Sequence, residues 1–482
     1  MGARVVNLAA VVFCSLAAFA EPTAPAAWSL TPAEAVEASV RHFEALPEGL
    51  RNQTRLLLLK GSTVEARQRT AMGVSLLLNS VGRSRLIVVP APIDEGWNLL
   101  AVDLAAYADA EDAAAYVTLF EAWELLAKED PYFHLRTEVV AAGETEIKQV
   151  TVDGGWIRLE AAEALRELSG SFGAVLRSDF FAAAVGERHY YLWAGVPETE
   201  NELLVEIGVD RKAVETLAAQ PSANLLRSNV TRKPRRVIYR PGALGATFQT
   251  KDVDAEAPPN DPLRNPLNVA TQTFVFAATE WFYARPNGTW GTAIFDAAGK
   301  RQDAVADRVA KDHQDVTEGD GIVRPFWKCV RCHERGGSAG LQPFVDDQSF
   351  LLAKVGVGSP DPAVAQRVAE LYDPARLGKA MARAREDYED AVARATGGLK
   401  PAEATEALVE LIVDYRDRAV TPAAAAAETG TTVERFAVLL SGQGTEGTRD
   451  PILLALALGR DVNRAAWETS YPEAALRTAT AD

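Results

Sequence analysis

The spacing of apolar and polar residues along the chain predicts a mixed fold that is mostly helical. A period close to 3.6 residues predicts amphipathic helices in the first half, over 31–46, 65–78, 112–128, 159–168, 176–185 and 198–217. Apolar runs at 85–89 and 97–103 and a weak alternation over 139–153 predict strands between them. Thr31-Pro32-Ala33-Glu34 fits a capping box with proline in the first turn, so the first helix is expected to begin there.

The pattern changes near Ser222. From 235 to 295 the chain is rich in aromatic and turn residues, and apolar runs at 274–283 and 290–295 flank Pro286-Asn287-Gly288, which predicts a hairpin. Beyond residue 360 the helical period returns in nearly every segment, over 362–372, 375–395, 402–418, 423–427, 433–440 and 451–458. The sequence therefore predicts a β-rich middle and an all-helical C-terminal part.

The first twenty residues have the pattern of a signal peptide. Arg4 precedes an apolar run from Val5 to Phe19, and Ala18-Phe19-Ala20 offers a small-residue cleavage site before Glu21. The run is short for a bilayer span, so an uncleaved anchor is the alternative. We expect export to the periplasm or another extracytoplasmic location, with no integral membrane span after cleavage.

The sequence Cys329-Val330-Arg331-Cys332-His333 carries the clearest chemistry in the chain. Two cysteines three residues apart, followed directly by histidine, form the attachment pattern of a c-type haem. Each thiol forms a thioether with one vinyl group, and the histidine is the proximal iron ligand. The chain has three cysteines, and Cys14 lies in the predicted signal peptide. We therefore expect one covalent haem c bound by Cys329, Cys332 and His333.

Three other interpretations of this motif remain open. A thioredoxin-like redox site would need a strand–helix–strand setting and usually a tryptophan directly before the first thiol, whereas Trp327 is one residue too far. A structural zinc site needs four ligands, and the motif offers three. A structural disulfide across so short a loop restrains little unfolded-chain entropy.

The second axial ligand of such a haem decides its chemistry. Methionine raises the reduction potential and suits electron transfer, a second histidine lowers the potential, and an open position permits small-molecule chemistry. After signal cleavage two methionines remain, Met72 and Met381. Met381 follows the motif at a suitable separation, although it shares a helical face with Leu377 and Tyr388, as a core residue would. We favour a core role for Met381, which is nevertheless the distal candidate. His189 is a candidate for the haem edge, with a place in an aromatic core as the commoner alternative.

Net charge narrows the class of partner. The formal charge is −16 and no basic stripe is present, which argues against nucleic-acid binding. An acidic chain attracts basic proteins, so a redox partner protein with a basic surface fits the charge. An acidic balance more often serves solubility alone.

Short patches accompany the haem motif along the chain, namely Leu78-Asn79-Ser80, Val102-Asp103-Leu104, Trp123-Glu124, Asp130-Pro131-Tyr132, Arg177-Ser178-Asp179-Phe180-Phe181, Gly208-Val209-Asp210, Pro286-Asn287-Gly288, Gly299-Lys300-Arg301, Arg464, Trp467-Glu468 and Tyr471. With the haem motif, these patches resemble a group of large exported c-type cytochrome-domain proteins from bacteria of the planctomycete kind. The likeness covers most of the chain after the signal segment. The resemblance implies haem binding and electron transfer, and it implies no substrate.

These observations lead to one expected organisation. We predict a signal peptide at 1–20, a mixed, mostly helical domain at 21–221, a β-rich segment with hairpins at 222–310 and a helical cytochrome c-like haem domain at 311–482. The expected role is electron transfer by a single-haem exported cytochrome. The alternatives are a peroxidase-like haem enzyme with an open distal site and a non-catalytic scaffold in which haem staples the helices.

Overall fold

The computed structural model describes most of the chain after residue 27. The described residues are 28–109, 113–133, 136–141, 147–152, 159–211, 222–225, 235–252, 275–306, 309–311, 321–334, 362–371, 373–441 and 447–479. The predicted signal peptide lies outside these ranges. Within them the fold is mixed and mostly helical, which confirms the predicted fold class.

A four-stranded sheet forms the centre of the N-terminal part, with strand order β2-β3-β1-β6. Its strands are β1 (Thr54–Leu58), β2 (Ala91–Pro92), β3 (Leu99–Asp103) and β6 (Val175–Arg177). Strand β1 pairs antiparallel with β3 and parallel with β6, and all five of its residues are buried. Its last three residues, Leu56, Leu57 and Leu58, form an apolar run without alternation, as is typical of a strand covered on both faces.

Helices surround this sheet. They are α1 (Pro32–Ala45), α2 (Glu48–Arg51), α3 (Val64–Val81), α4 (Leu104–Tyr107), α5 (Ala113–Glu129), α6 (Leu159–Ser169), α7 (Ser178–Val185), α8 (Tyr190–Ala194) and α9 (Glu200–Glu206). The capping box at Thr31 and Glu34 forms as predicted. A separate hairpin pairs β4 (Arg136–Ala141) with β5 (Ile147–Val152).

Two predictions in this part need correction. Residues 85–89 form no strand, because the side chain of Asn79 binds the backbone groups of Val88 that a strand would need for pairing. The Oδ1 of Asn79 accepts from the Val88 amide at 2.9 Å, and its Nδ2 donates to the Val88 carbonyl at 2.7 Å. The helix predicted over 198–217 is α9, which ends at Glu206, and residues 212–217 lie outside the described residues.

The β-rich middle is an antiparallel five-stranded sheet with strand order β11-β10-β9-β8-β7. Its strands are β7 (Ser222–Leu225), β8 (Arg235–Gly242), β9 (Gly245–Asp252), β10 (Ala278–Ala284) and β11 (Trp290–Asp296). Pro286-Asn287-Gly288 turns the chain between β10 and β11, which confirms the predicted hairpin. In this register Phe282 stands opposite Phe248 on one side and Thr292 on the other.

Helices make up most of the described C-terminal part. They are α10 (Trp327–Glu334), α11 (Pro362–Leu371), α12 (Pro374–Thr396), α13 (Pro401–Arg416), α14 (Pro422–Glu428), α15 (Val433–Ser441), α16 (Pro451–Ala457) and α17 (Arg464–Ala479). Helix α13 packs on α3 and α7, and α12 packs on α3 and β9. One hydrophobic core therefore includes residues from Ala35 to Ala475, and the predicted boundaries between domains stay a prediction.

Across the described ranges, none of the helices combines the length and the apolar character that a bilayer crossing requires.

Candidate functional site

The haem motif lies in helix α10, which packs against α13. Residues three and four apart on a helix are neighbours, so positions 329, 332 and 333 share one face of α10. The side chain of Cys332 lies outside what the structure describes. The thiol of Cys329 is half-buried, with Sγ 3.9 Å from the carbonyl oxygen of Arg324.

Phe326 fixes the start of α10. Its φ of +65° is unfavourable for a residue with a Cβ atom, by about 1–2 kcal/mol. Two contacts hold it there: its amide donates to Oγ1 of Thr292 at 2.9 Å, and its ring stacks on Tyr190 with centroids 5.0 Å apart. The Tyr190 hydroxyl in turn accepts from the amide of Thr292 at 2.9 Å. The motif helix therefore begins from a fixed point between α8 and β11.

A second set of contacts holds α10 against the N-terminal helices. The amide of Trp327 donates to the carbonyl of Gly186 at the end of α7, at 3.3 Å. The guanidinium of Arg416, on α13, lies 4.7 Å from the Trp327 ring centre. Glu187 pairs with Arg416 at 3.4 Å and with Arg324 at 3.2 Å. Helix α10 is thus built into the core.

His333 has the properties of an iron ligand. Its Nδ1 is buried and has no hydrogen-bond partner among the described residues. Burial, with a smaller contribution from Arg235, lowers the pKa of His333 to about 4, so its imidazole is neutral at physiological pH. A neutral imidazole is the form that binds iron. These residues fit a c-type haem.

Phe282 lies against this imidazole. The two ring centroids are 4.6 Å apart and the planes meet at 61°, an edge-on contact. Of the other aromatic residues near the hairpin, Trp281 donates to Glu200 from the opposite face of the sheet, and Trp290 packs on Phe248. Phe282 is the member of this group that contacts the motif.

A buried ion-pair cluster lies on the same sheet face as Phe282. The Arg235 guanidinium binds Asp252 at 2.5 and 2.6 Å and Glu280 at 3.0 Å. Burial and the neighbouring carboxylate of Asp252 raise the pKa of Glu280, although Arg235 opposes that rise. Sequence spacing could not find this cluster, because strand pairing brings its members together from three strands.

Met381 lies in α12 and is buried in the main core, on the same helical face as Leu377 and Tyr388. Tyr388 contacts Trp290, whose side chain is on the sheet face that also carries Phe282. His333 and Met381 therefore lie on two helices that pack against one face of the sheet. This placement fits both the core role and the distal-ligand role that the sequence leaves open.

The other residues named from the sequence lie elsewhere. Met72 lies on α3 and is half-buried. Nε2 of His189 is 2.9 Å from a carboxylate oxygen of Glu129, which occupies that nitrogen. His189 does precede Tyr190, which stacks beside the motif helix. The described residues contain no group of three or more His, Cys, Asp or Glu side chains arranged to hold a metal ion.

Several patches that carry the family resemblance meet in a second buried network. Arg177 binds Asp179 at 2.7 Å and Glu428 at 2.9 Å, and it lies 3.8 Å from the ring centre of Tyr132. Glu428 also accepts from Nη1 of Arg464 at 2.8 Å and from Nε1 of Trp467 at 2.7 Å. This network joins the end of β6 to α14 and α17, and it explains those patches as structural.

Comparison of the chain with protein-family models, curated proteins and solved structures found no match. The motif and its surroundings therefore carry the functional argument.

Proposed function

We propose that this protein is an exported c-type cytochrome with one covalently attached haem and that it transfers electrons. One observation carries the proposal. The attachment sequence lies on one face of a helix, and its histidine, His333, has a neutral imidazole whose buried Nδ1 has no hydrogen-bond partner among the described residues.

In this proposal each motif residue has a separate role. Cys329 and Cys332 anchor the haem through thioether bonds, and His333 is the proximal ligand. Bound haem supplies reversible one-electron oxidation and reduction of iron. The protein holds the imidazole against the edge of Phe282 and anchors α10 through Phe326 and Trp327. The anchored helix and the ring contact with Phe282 restrict the orientation of the imidazole.

Met381 is the proposed distal ligand, and its support is positional. It lies on a helix that packs on the same sheet face as the helix of His333. Methionine opposite histidine raises the reduction potential and fills the position at which a small molecule would bind. Both effects favour electron transfer over peroxidase chemistry.

Export and partner choice follow from the same proposal. Thioether attachment takes place outside the cytoplasm, which agrees with the signal-peptide pattern of residues 1–20. The net charge of −16 favours a basic redox partner. Membership of the planctomycete-type cytochrome-domain group is part of the proposal and rests on the motif and the patches.

A spectroscopic experiment tests electron transfer against the haem-enzyme alternative. The full chain is produced together with a haem-attachment system, reduced with dithionite and exposed to carbon monoxide. We expect an unchanged spectrum, because a protein ligand holds the sixth position; Met381→Ala should then bind carbon monoxide. A rapid spectral shift in the wild type would contradict electron transfer and favour the haem enzyme.

A further inference from the structure

The buried cluster of Arg235, Asp252 and Glu280 combines one guanidinium group with two carboxyl groups. Relative exposures of the three side chains are 8%, 1% and 13%. One guanidinium lies within hydrogen-bond distance of both carboxylates. One buried cation balances the charge of one buried carboxylate. Burial therefore favours the protonated form of the second carboxyl group, unless another positive charge lies nearby.

The cluster is close to the proximal histidine. Glu280 precedes Phe282 by two residues on β10, so both side chains point to the same face, about 7 Å apart along the strand. Phe282 contacts the ring of His333. Arg235 acts on His333 electrostatically, which also places the cluster near the motif helix. A charge on the iron would therefore act on Glu280 across a short, partly buried path, where charges interact more strongly than in water.

Strand β8 contributes Arg235 to this region, β9 contributes Asp252, and β11 places Ile294 opposite Glu280. The helices beside the sheet also carry cations: Lys328 on α10 is buried, and Arg385 on α12 has a buried Nε. The charges that act most strongly on the pKa of Glu280 are those of Arg235 and Asp252. Glu280 is thus a largely buried carboxyl group two residues from the side chain that contacts His333.

We propose that Glu280 takes up a proton when the haem iron is reduced and releases it on oxidation. This inference rests on the proposed function. A one-electron donor reduces Fe(III) to Fe(II), the Glu280 carboxylate forms an O–H bond with one proton from solvent, and no other bond changes. Reduction removes one positive charge and proton uptake restores it, so the net charge of the buried region is constant. Arg235 and Asp252 hold the carboxyl group of Glu280 in position.

A redox titration of the loaded protein between pH 6 and pH 10 tests this coupling. One proton taken up per electron makes the midpoint potential fall as pH rises, by up to about 59 mV for each tenfold change in proton concentration. Glu280→Gln keeps the side-chain size and cannot ionise, so its potential should be independent of pH in the same interval. Asp252→Asn lets Glu280 pair alone with Arg235 and stay ionised, so it should also lose the slope.

Glu200→Gln is the matched control. Glu200 is a partly buried glutamate that contacts the opposite face of the same sheet, where Oε1 accepts from Gln249, Thr279 and Trp281. The midpoint potential of Glu200→Gln should change with pH by the same amount as that of the wild type. A second readout is the infrared difference spectrum on reduction, in which a carboxylic acid C=O band should appear and be absent in Glu280→Gln.

The outcomes separate the two proposals. A wild-type potential independent of pH, or a slope that persists in Glu280→Gln, overturns the coupling while the cytochrome proposal stands. Polypeptide that carries no covalent haem overturns both.

Discussion

The imidazole of His333 lies edge-on against the ring of Phe282, with centroids 4.6 Å apart. This contact connects the haem motif on α10 to β10 of the five-stranded sheet. It gives the β-rich segment a role beside the motif, because the strand that carries Phe282 also carries Glu280. The sheet and the motif helix together form the candidate site.

Glu428 holds together the buried network of the C-terminal helices. Its carboxylate binds Arg177 at 2.9 Å and Arg464 at 2.8 Å. Glu428→Gln leaves two buried guanidinium groups without that negative charge, so we expect the free energy of unfolding to fall by about 3–5 kcal/mol in urea titrations. Glu410→Gln is the control: Glu410 pairs with Arg69 at the surface, 3.3 Å apart, and should change stability by less than about 1 kcal/mol. Equal losses in the two variants would contradict a central role for Glu428.

Gly73 allows α3 and α13 to approach closely. A Cβ atom added there would lie 2.9 Å from the amide nitrogen of Leu408, a backbone atom that cannot turn aside. Gly73→Ala should therefore lower the melting temperature, at a cost of about 2 kcal/mol from overpacking. Gly378, on α12, has open space around the same position, so Gly378→Ala should stabilise the protein by about 0.5–1 kcal/mol through helix propensity. A stabilised Gly73→Ala variant would contradict the observed helix packing.

Asn287 docks the hairpin turn onto the end of α3. Its Nδ2 donates to the carbonyl of Asn79 at 2.9 Å, and its Oδ1 accepts from the amide of Thr289 at 3.0 Å. Asn287→Ala leaves buried polar groups with fewer partners, so denaturant unfolding should show a loss of about 1–3 kcal/mol. Asn201→Ala, at an exposed position on α9, should stay within about 0.5 kcal/mol of the wild type. Comparable values for both would show that the turn does not depend on Asn287.

Asp130 should give the stability a distinct pH dependence. Burial raises the pKa of its carboxyl from 3.8 to about 7, even though the amides of Tyr132 and Phe133 donate to it at 3.1 Å. Between these two pKa values the folded state holds a proton that the unfolded state has released, so this group's contribution to stability falls as pH rises and is fully lost above pH 7.

Asp130→Asn cannot ionise and lacks this dependence. Its unfolding free energy relative to the wild type should therefore rise by about 2 kcal/mol between pH 5 and pH 8. Urea titrations at the two pH values provide the measurement. A difference that is the same at both would mean that Asp130 ionises in the folded state at its ordinary pKa.

Helices with clear capping residues at their ends can be predicted from the sequence. Helix α12 was expected at 375–395 and runs from Pro374 to Thr396, because Asp373 caps its start and Gly397, with φ of +71°, ends it. Strand β1 gave no such signal, since a strand buried on both faces has no alternation. Helix α17 contains Pro472, which hides its helical pattern.

The candidate site also contains one part that the sequence predicts and another that it does not. The motif is contiguous, so Cys329, Cys332 and His333 could be named from the sequence alone. Phe282, Arg235 and Glu280 reach the motif through strand register and through the packing of α10 on the sheet, which no short pattern encodes. The resemblance patches around Arg177 and Glu428 likewise became interpretable only when their ion pairs were seen.

Covalent attachment of haem is the central claim, and its most direct measurement is the intact mass of the denatured protein together with its absorption spectrum. After production with a haem-attachment system, the wild type should carry one haem that survives denaturation and acid extraction. Cys329→Ala combined with Cys332→Ala should carry none. His333→Met should keep the covalent haem with an altered spectrum, because the thioethers remain while the proximal ligand changes. Wild-type polypeptide of unmodified mass, or of a mass that shows only a disulfide between Cys329 and Cys332, would contradict the account.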